Sequence, residues 1–340
     1  MRKNAYLPWN QPLIQQLSTL LAEEKLGHAY LFQGALGLGK YSALMDFAEL
    51  LFCQDGSSEK ACGSCQGCLL FQAGTHPDFL HLTREEGATQ IKIEQIRDSQ
   101  SFIGNTPMFG KHKILLIEPA EHLNINAANA LLKNLEEPAK GTLIFLICHQ
   151  PGTLLPTIRS RCQAIKFSQP KQDDSLAYLR QSLPAEQAEQ ALLLSRGAPL
   201  KARQLVEEGR LQEFGEIQQS LLDLLQEDMS VSEVAASWIE IDNENLLECL
   251  LTTVDTMTRV LQAQSTDWNG QPLPETLKSL IHSAGTQRLF HLHEFYLSLL
   301  DLRAKLRSRS NPNRLLLLES LCLHWLEQLS RQNNREVVSG

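Results

Sequence analysis

Residues 34–41 read Gly-Ala-Leu-Gly-Leu-Gly-Lys-Tyr. Gly34, Gly39 and Lys40 match G-x-x-x-x-G-K-[ST], and Gly37 adds a third flexible point. In that pattern backbone N–H groups wrap phosphates, the lysine meets the β- and γ-phosphates, and a hydroxyl ligates Mg²⁺. Tyr41 departs from it, because a phenol hydroxyl lies much farther from its Cα than a serine hydroxyl and cannot take the same metal position. A second part of the same chemistry is also damaged. The apolar run Ile114-Leu115-Leu116-Ile117 ends in Glu118-Pro119. A working site would place Asp there to hold Mg²⁺, followed by Glu to orient the attacking water. Glu118 is one methylene too long and Pro119 carries no acid. The expectation is a phosphate cradle that does not hydrolyse, with ATP or ADP occupancy left open. The competing reading is a plain Gly-rich turn.

Cys53, Cys62, Cys65 and Cys68 form the second chemical cluster. Tight Cys-x2-Cys turns point two sulfurs at one centre, and four sulfurs suit tetrahedral Zn²⁺. An iron–sulfur cluster is the competitor, but there the fourth ligand follows downstream as Cys-Pro, whereas here it lies upstream at Cys53. A full thiolate shell implies a structural zinc with no open position for substrate. Lys60 alone is a cation between the first and last of these cysteines, so the module reads as a staple or interaction knob. Cys148, Cys162, Cys249 and Cys322 stand singly in apolar surroundings and read as small core residues.

The elements that must position these groups follow an α/β pattern up to residue 168. Candidate strands are 29–32, 79–82, 114–117, 143–147 and 164–167, separated by helical stretches, as in a parallel sheet covered on both faces. One helix runs from Tyr41 to Phe52, straight into the cysteines. Another, 126–135, sets Ala127, Ala130, Leu131 and Asn134 on one face and stops at Pro138. After Pro170 the strands are expected to cease. Residues 169–209 read as a small helical module punctuated by Pro184 and Gly197-Ala198-Pro199. Residues 210–340 read as a leucine-rich helical domain, with 267–274 a Gly/Pro loop and 333–340 a polar tail.

Composition narrows the class of function. The 340 residues are 43% hydrophobic with a net charge of −8, and the pI is about 5.7. A protein that grips DNA alone by neutralising phosphates is disfavoured. Any DNA contact would have to come from local patches such as Arg303, Lys305, Arg307 and Arg309, a run read as a solvated helix face. No stretch reaches the ~20 apolar residues of a membrane span, and the N-terminus leads into no apolar signal region. The expected location is the cytoplasm.

The segment Asn129-Ala130-Leu131-Leu132-Lys133-Asn134-Leu135-Glu136-Glu137-Pro138, followed by Ser160-Arg161-Cys162, resembles the clamp-loader branch of the AAA+ ATPases. Within it, the two lesions, the cysteine spacing and Thr75-His76-Pro77-Asp78 resemble the delta-prime family of bacterial DNA polymerase III. The likeness is strong to about residue 210 and beyond that rests on helical character and Asn313-Arg314-Leu315-Leu316-Leu317. It implies an AAA+ core over 1–168, a lid over 169–209 and a C-terminal oligomerisation collar over 210–340. It further implies a non-hydrolysing subunit of a hetero-pentameric clamp loader, beside the gamma/tau ATPase subunits and the delta subunit. That assembly loads the sliding clamp on primed DNA within a DNA-directed DNA polymerase holoenzyme. Arg161 would then act in trans on a neighbour's γ-phosphate, with Arg159 the alternative and an ordinary surface arginine the plain reading. Leu200 falls where the family's lid arginine contacts nucleotide, and Ile147-Cys148-His149 replaces its Thr-Thr sensor. Two rivals remain open: an active motor ATPase, and a zinc-dependent nucleic-acid-binding protein.

Overall fold

A computed structural model describes residues 7–55, 60–264, 267–268, 271–284, 289–307 and 313–329. The chain divides into two compact units, residues 1–174 and 175–340. No helix among the described residues is long and apolar enough to cross a membrane.

In the first unit the strands are β1 (Ala29–Gln33), β2 (Phe79–Leu82), β3 (Lys113–Ile117), β4 (Thr142–Cys148) and β5 (Gln163–Lys166). Each lies within a residue of its expected bounds. They form one parallel sheet in the order β2-β3-β4-β1-β5, with Leu31 opposite Leu146 and Leu115 opposite Ile144. β3 and β4 are buried along their whole length, as runs rich in Ile and Leu must be when both sheet faces are covered. β5 is an edge strand and stays largely exposed. The chain leaves β1 for the far edge, returns through β3 and β4, then crosses β1 to reach β5. The strand order therefore reverses at β1, where open α/β sheets place their ligands at the carboxyl ends of the strands.

The helices of this unit are α1 (Gln11–Ala22), α2 (Lys40–Phe52), α3 (Gln66–Gln72), α4 (Ile93–Gly104), α5 (Ile125–Glu136) and α6 (Pro156–Arg159). Asn124 caps α5 by accepting from the Ala127 N–H, which satisfies one of the orphan donors of a helix start. The buried face of α5 carries Ala127, Ala128, Leu131, Asn134 and Leu135; Ala130 is only half-buried.

The second unit begins within α7 (Gln172–Leu179) and is built on α8 (Ala185–Leu194), α9 (Pro199–Glu207), α10 (Arg210–Gln226), α11 (Val231–Ser237), α12 (Asn243–Ala263), α13 (Glu275–Ala284), α14 (Leu289–Arg307) and α15 (Arg314–Leu329). Leu194 and Leu205 share one core with Phe214, Trp238, Leu250, Phe295 and Trp325. The two buried indole N–H groups are satisfied, Trp238 on the Ser220 hydroxyl and Trp325 on the Leu221 carbonyl. The Asn313-Arg314 pair has a local cause. The Asn313 side chain accepts from the Leu315 N–H at the start of α15, and Arg314 donates to the Trp238 and Ile241 carbonyls beyond α11.

One expectation fails here. Strands do not cease after Pro170, because Asp267–Trp268 (β6) and Gln271–Pro272 (β7) pair as a short antiparallel ribbon where a Gly/Pro loop was expected. The sequence between them, Asn269-Gly270, is the dipeptide that signals a two-residue hairpin and outweighs the loop composition around it. In the basic run, half-buried Arg303 bonds Glu244 of α12, and exposed Lys305 pairs with Asp301. Arg309 and the tail 333–340 lie outside the described residues.

Candidate functional site

The carboxyl ends of β1, β4 and β3 bring together Gly34, His149 and Glu118. The loop after β1 bends through three glycines in positive-φ conformations, Gly34, Gly37 and Gly39. A Cβ on Gly34 would meet the Phe167 carbonyl at 2.5 Å, so that position is closed to any side chain. Gly39 then opens α2, whose first residue, Lys40, is 3% exposed. The Lys40 ammonium donates to the carbonyls of Gly34 and Ala35 at 2.6 and 2.7 Å. Burial lowers its pKa to about 8 against the pull of Glu118 and Glu121. Burial likewise raises Glu118 to about 7 although Lys40 opposes it. For both groups the loss of water outweighs their mutual attraction.

Two imidazoles flank Glu118, with His81 on β2 and His149 after β4 at 3.7 and 3.8 Å from its carboxylate. Burial and the Lys40 charge push His149 down to about 4, so it is neutral at pH 7. Its backbone N–H donates to Glu121 at 2.9 Å. Among the described residues its Nδ1 and the second Glu121 oxygen are buried without a hydrogen-bond partner. The Tyr41 ring lies 5.5 Å from the His81 ring, so the bulk of the side chain packs toward β2. The geometry thus brings together a glycine-rich loop, the buried Lys40 and the carboxylate of Glu118, which Pro119 follows.

Sequence reasoning did not single out Trp9 and Asn10. The Trp9 indole donates to the Leu38 carbonyl and the Asn10 amide to the Gly39 carbonyl, both at 3.0 Å, so the N-terminal segment straps the loop from outside. These contacts span 29 positions and leave no periodic trace. Glu121 was missed as well.

The four cysteine sulfurs of residues 53, 62, 65 and 68 lie within 4.8 Å of one another. A tetrahedral centre with ~2.3 Å Zn–S bonds needs sulfurs about 3.8 Å apart, so the set fits such an ion with little movement. The N–H groups of Cys62, Cys65 and Cys68 donate to the sulfurs of Cys53, Cys62 and Cys65. Backbone donors of this kind hold Cys62 down at about 6 and lower Cys65, whereas burial pushes Cys68 up. A cation at the centre would offset the cost of ionising Cys68. Cys148, Cys249 and Cys322 are buried and Cys162 half-buried.

Arg161 lies between α6 and β5. Its guanidinium bonds the Glu136 carboxylate at the end of α5 through Nε at 2.7 Å and through NH2, and donates to the Thr157 carbonyl. The side chain is 35% exposed. Arg159 ends α6 and is exposed. Leu200, half-buried in the first turn of α9, belongs to the second unit.

A family model described as "DNA polymerase III, delta subunit" matches residues 9–171. The delta-prime subunit of DNA polymerase III from Pseudomonas aeruginosa is 37% identical over 325 residues, covering 94% of this chain and 96% of that one. The delta-prime subunit from Yersinia pestis is 32% identical over 336 residues, 96% of each chain. The tau subunit from Escherichia coli is 33% identical over 150 residues, 44% of this chain and 23% of its own. With identity above 30% running over nearly the whole of both partners, the chain belongs to the family of DNA polymerase III delta-prime subunits.

Proposed function

We propose that this protein is a non-hydrolysing member of a bacterial replicative clamp loader, working in the cytoplasm as part of the DNA polymerase III holoenzyme. The observation that carries the reading is the pairing of a preserved phosphate cradle with a failed hydrolytic set. The loop glycines and Lys40 stand, while Tyr41 packs on His81 and Glu118-Pro119 supplies neither metal acid nor water-orienting acid. In-line attack on a γ-phosphate needs both. The subunit's catalytic contribution is then Arg161, whose planar, permanently charged fork suits phosphate oxygens presented by an adjacent ATPase subunit. Glu136 holds it until such a phosphate competes.

The partners of this reading are gamma/tau-type ATPase subunits and a delta subunit in a five-membered ring. The sliding clamp and primed DNA are met through that complex. Residues 169–209 serve as the lid and 210–340 as the collar through which the ring assembles. The exposed Phe290, Leu297, Leu316 and Leu323 of α14 and α15 are apolar surface that assembly would cover. The ion at Cys53, Cys62, Cys65 and Cys68 is structural zinc. Nucleotide occupancy of the loop stays a separate matter from hydrolysis.

The test is the mass of the assembly formed when the purified chain is mixed with gamma/tau and delta subunits, together with ATP turnover by the chain alone. The reading requires one copy of this chain per ring and no Mg²⁺-dependent turnover. Robust turnover that Lys40→Ala abolishes would establish a motor ATPase instead. Tight, salt-sensitive DNA binding by the isolated chain would establish the nucleic-acid-binding alternative.

A further inference from the structure

The sequence segment Thr75-His76-Pro77-Asp78 takes part in none of the chemistry above, yet it contains two of the most buried polar residues of the first unit. His76 is 4% exposed and Asp78 is 1% exposed. Burying a carboxylate this deeply is costly unless its oxygens are met. They are met from thirty positions away: the Met108 N–H donates to both oxygens, at 2.8 and 3.0 Å, and the Phe109 N–H to one. Lys113, itself buried, is close enough for Asp78 to counter the loss of its charge. The loop that joins α4 to β3 is therefore fixed by its backbone. Met108 as a residue is meanwhile 76% exposed.

His76 connects the other way. Its ring stacks on Phe52 with centroids 4.0 Å apart and planes 24° from parallel, and Phe109 approaches its ring at 5.4 Å. Its Nδ1 accepts from the Asp78 N–H, and its Nε2 is buried with no hydrogen-bond partner among the described residues. With Nδ1 accepting, the proton of the neutral ring sits on Nε2, a buried donor left unmatched. Phe52 is the last residue of α2 and immediately precedes Cys53. The Phe52 carbonyl in turn abuts Gly67, between Cys65 and Cys68, so closely that a Cβ there would lie 2.1 Å away. A continuous line of contacts runs from the cysteine cluster through Phe52, His76 and Asp78 to the amides of Met108 and Phe109.

We infer that the cysteine module and the His76–Asp78 segment form one positioning device, whose output is a fixed backbone for the loop 105–112 and a defined place for the exposed Met108. This rests on the reading that the four cysteines hold a metal ion. A relay of this kind transmits order only if its members are in contact and each has one seat, which the stack and the bidentate carboxylate supply.

Hydrogen exchange of the full-length protein tests it, followed by mass spectrometry on peptides covering 105–112, with metal content measured on the same samples. Stripping the metal with a chelator should speed exchange in 105–112 roughly tenfold or more, the scale of losing hydrogen bonds to a charged acceptor. β4 should stay protected. His76→Phe keeps the stack and removes the acceptor, and Asp78→Asn keeps the volume and removes the charge; each should loosen the same peptide with metal still bound. Unchanged exchange in the verified metal-free protein would overturn the inference, and so would a rise spread evenly over β3 and β4. Purified protein without metal would refute the metal reading itself. The two substitutions would then decide on their own whether His76 and Asp78 hold the loop, and unchanged exchange in both rejects it.

Discussion

Gly67→Ala should disable the cysteine module with a single methyl group. Gly67 is the second residue of α3 and faces the end of α2 across the Phe52 carbonyl. An added Cβ would start 2.1 Å from that oxygen, whereas ordinary contact begins near 3.4 Å, so one helix must move by more than an ångström. The neighbour is backbone with no side chain that could swing aside. Cys65 and Cys68 belong to α3 and its cap, and Cys53 caps α2, so the shift pulls Cys65 and Cys68 away from Cys53. Metal–ligand distances tolerate only about 0.2 Å. Overpacking of this type costs roughly 1–3 kcal/mol before any loss of metal is counted. For a unit of this size that lowers the melting temperature by roughly 3–10 °C. Calorimetry and metal analysis on the same preparation check both effects. Gly104→Ala is the control: nothing lies within 4 Å of its added Cβ, and it should be neutral or slightly stabilising. A Gly67→Ala protein that retains full metal content and melts with the wild type would refute the close-approach argument.

Metal analysis of the wild-type chain should give about one zinc and negligible iron per chain, and Cys65→Ser should lower both metal content and thermal stability. Tyr41→Thr alone should not create ATP turnover, because Pro119 still leaves the attacking water unoriented; turnover measured in Mg²⁺ buffer checks this. Glu118 titrates near 7 in the fold and near 4.5 unfolded, so the folded state binds the extra proton between those values. Its stabilising effect is complete below about pH 4.5 and is lost as pH rises through 7, by up to ~3 kcal/mol. His149, held near 4 in the fold, contributes the opposite slope below about pH 6.5, so the check is the difference between wild-type and Glu118→Gln melting curves from pH 5 to 8, which should fall as pH rises.

How far the sequence carried the reading differs from element to element. β3 and β4 were legible because Ile- and Leu-rich runs of five to seven residues have few other fates in a covered sheet. The loop glycines and the cysteine cluster were legible because what they set is local: close spacing alone makes the turn and brings four sulfurs within 4.8 Å of one another. The short β6–β7 ribbon was missed because a Gly/Pro-rich composition masked the Asn-Gly signal. Contacts between distant positions were invisible. Nothing in the spacing announces that Asp78 receives the amides of residues 108 and 109, that Glu136 holds Arg161, or that Trp9 and Asn10 strap the loop at 38–39. Each joins segments whose proximity the sheet topology decides.

We propose that a subunit without hydrolysis of its own supplies Arg161 to a neighbour. The direct measurement is the clamp- and DNA-stimulated ATPase of a reconstituted loader carrying Arg161→Ala, with Arg159→Ala and Glu136→Gln loaders in parallel. Arg161→Ala should assemble normally, since a partly exposed ion pair adds little stability. It should lower turnover at the one adjoining site by up to ~10³-fold, which the whole ring shows as a smaller fractional loss, and should impair clamp loading. Arg161→Lys should rescue poorly because an ammonium lacks the bidentate fork, and Glu136→Gln should leave turnover intact or raise it. Unchanged turnover and loading with Arg161→Ala, together with a defect in Arg159→Ala, would move the role to the neighbouring arginine; no defect in either would contradict the account.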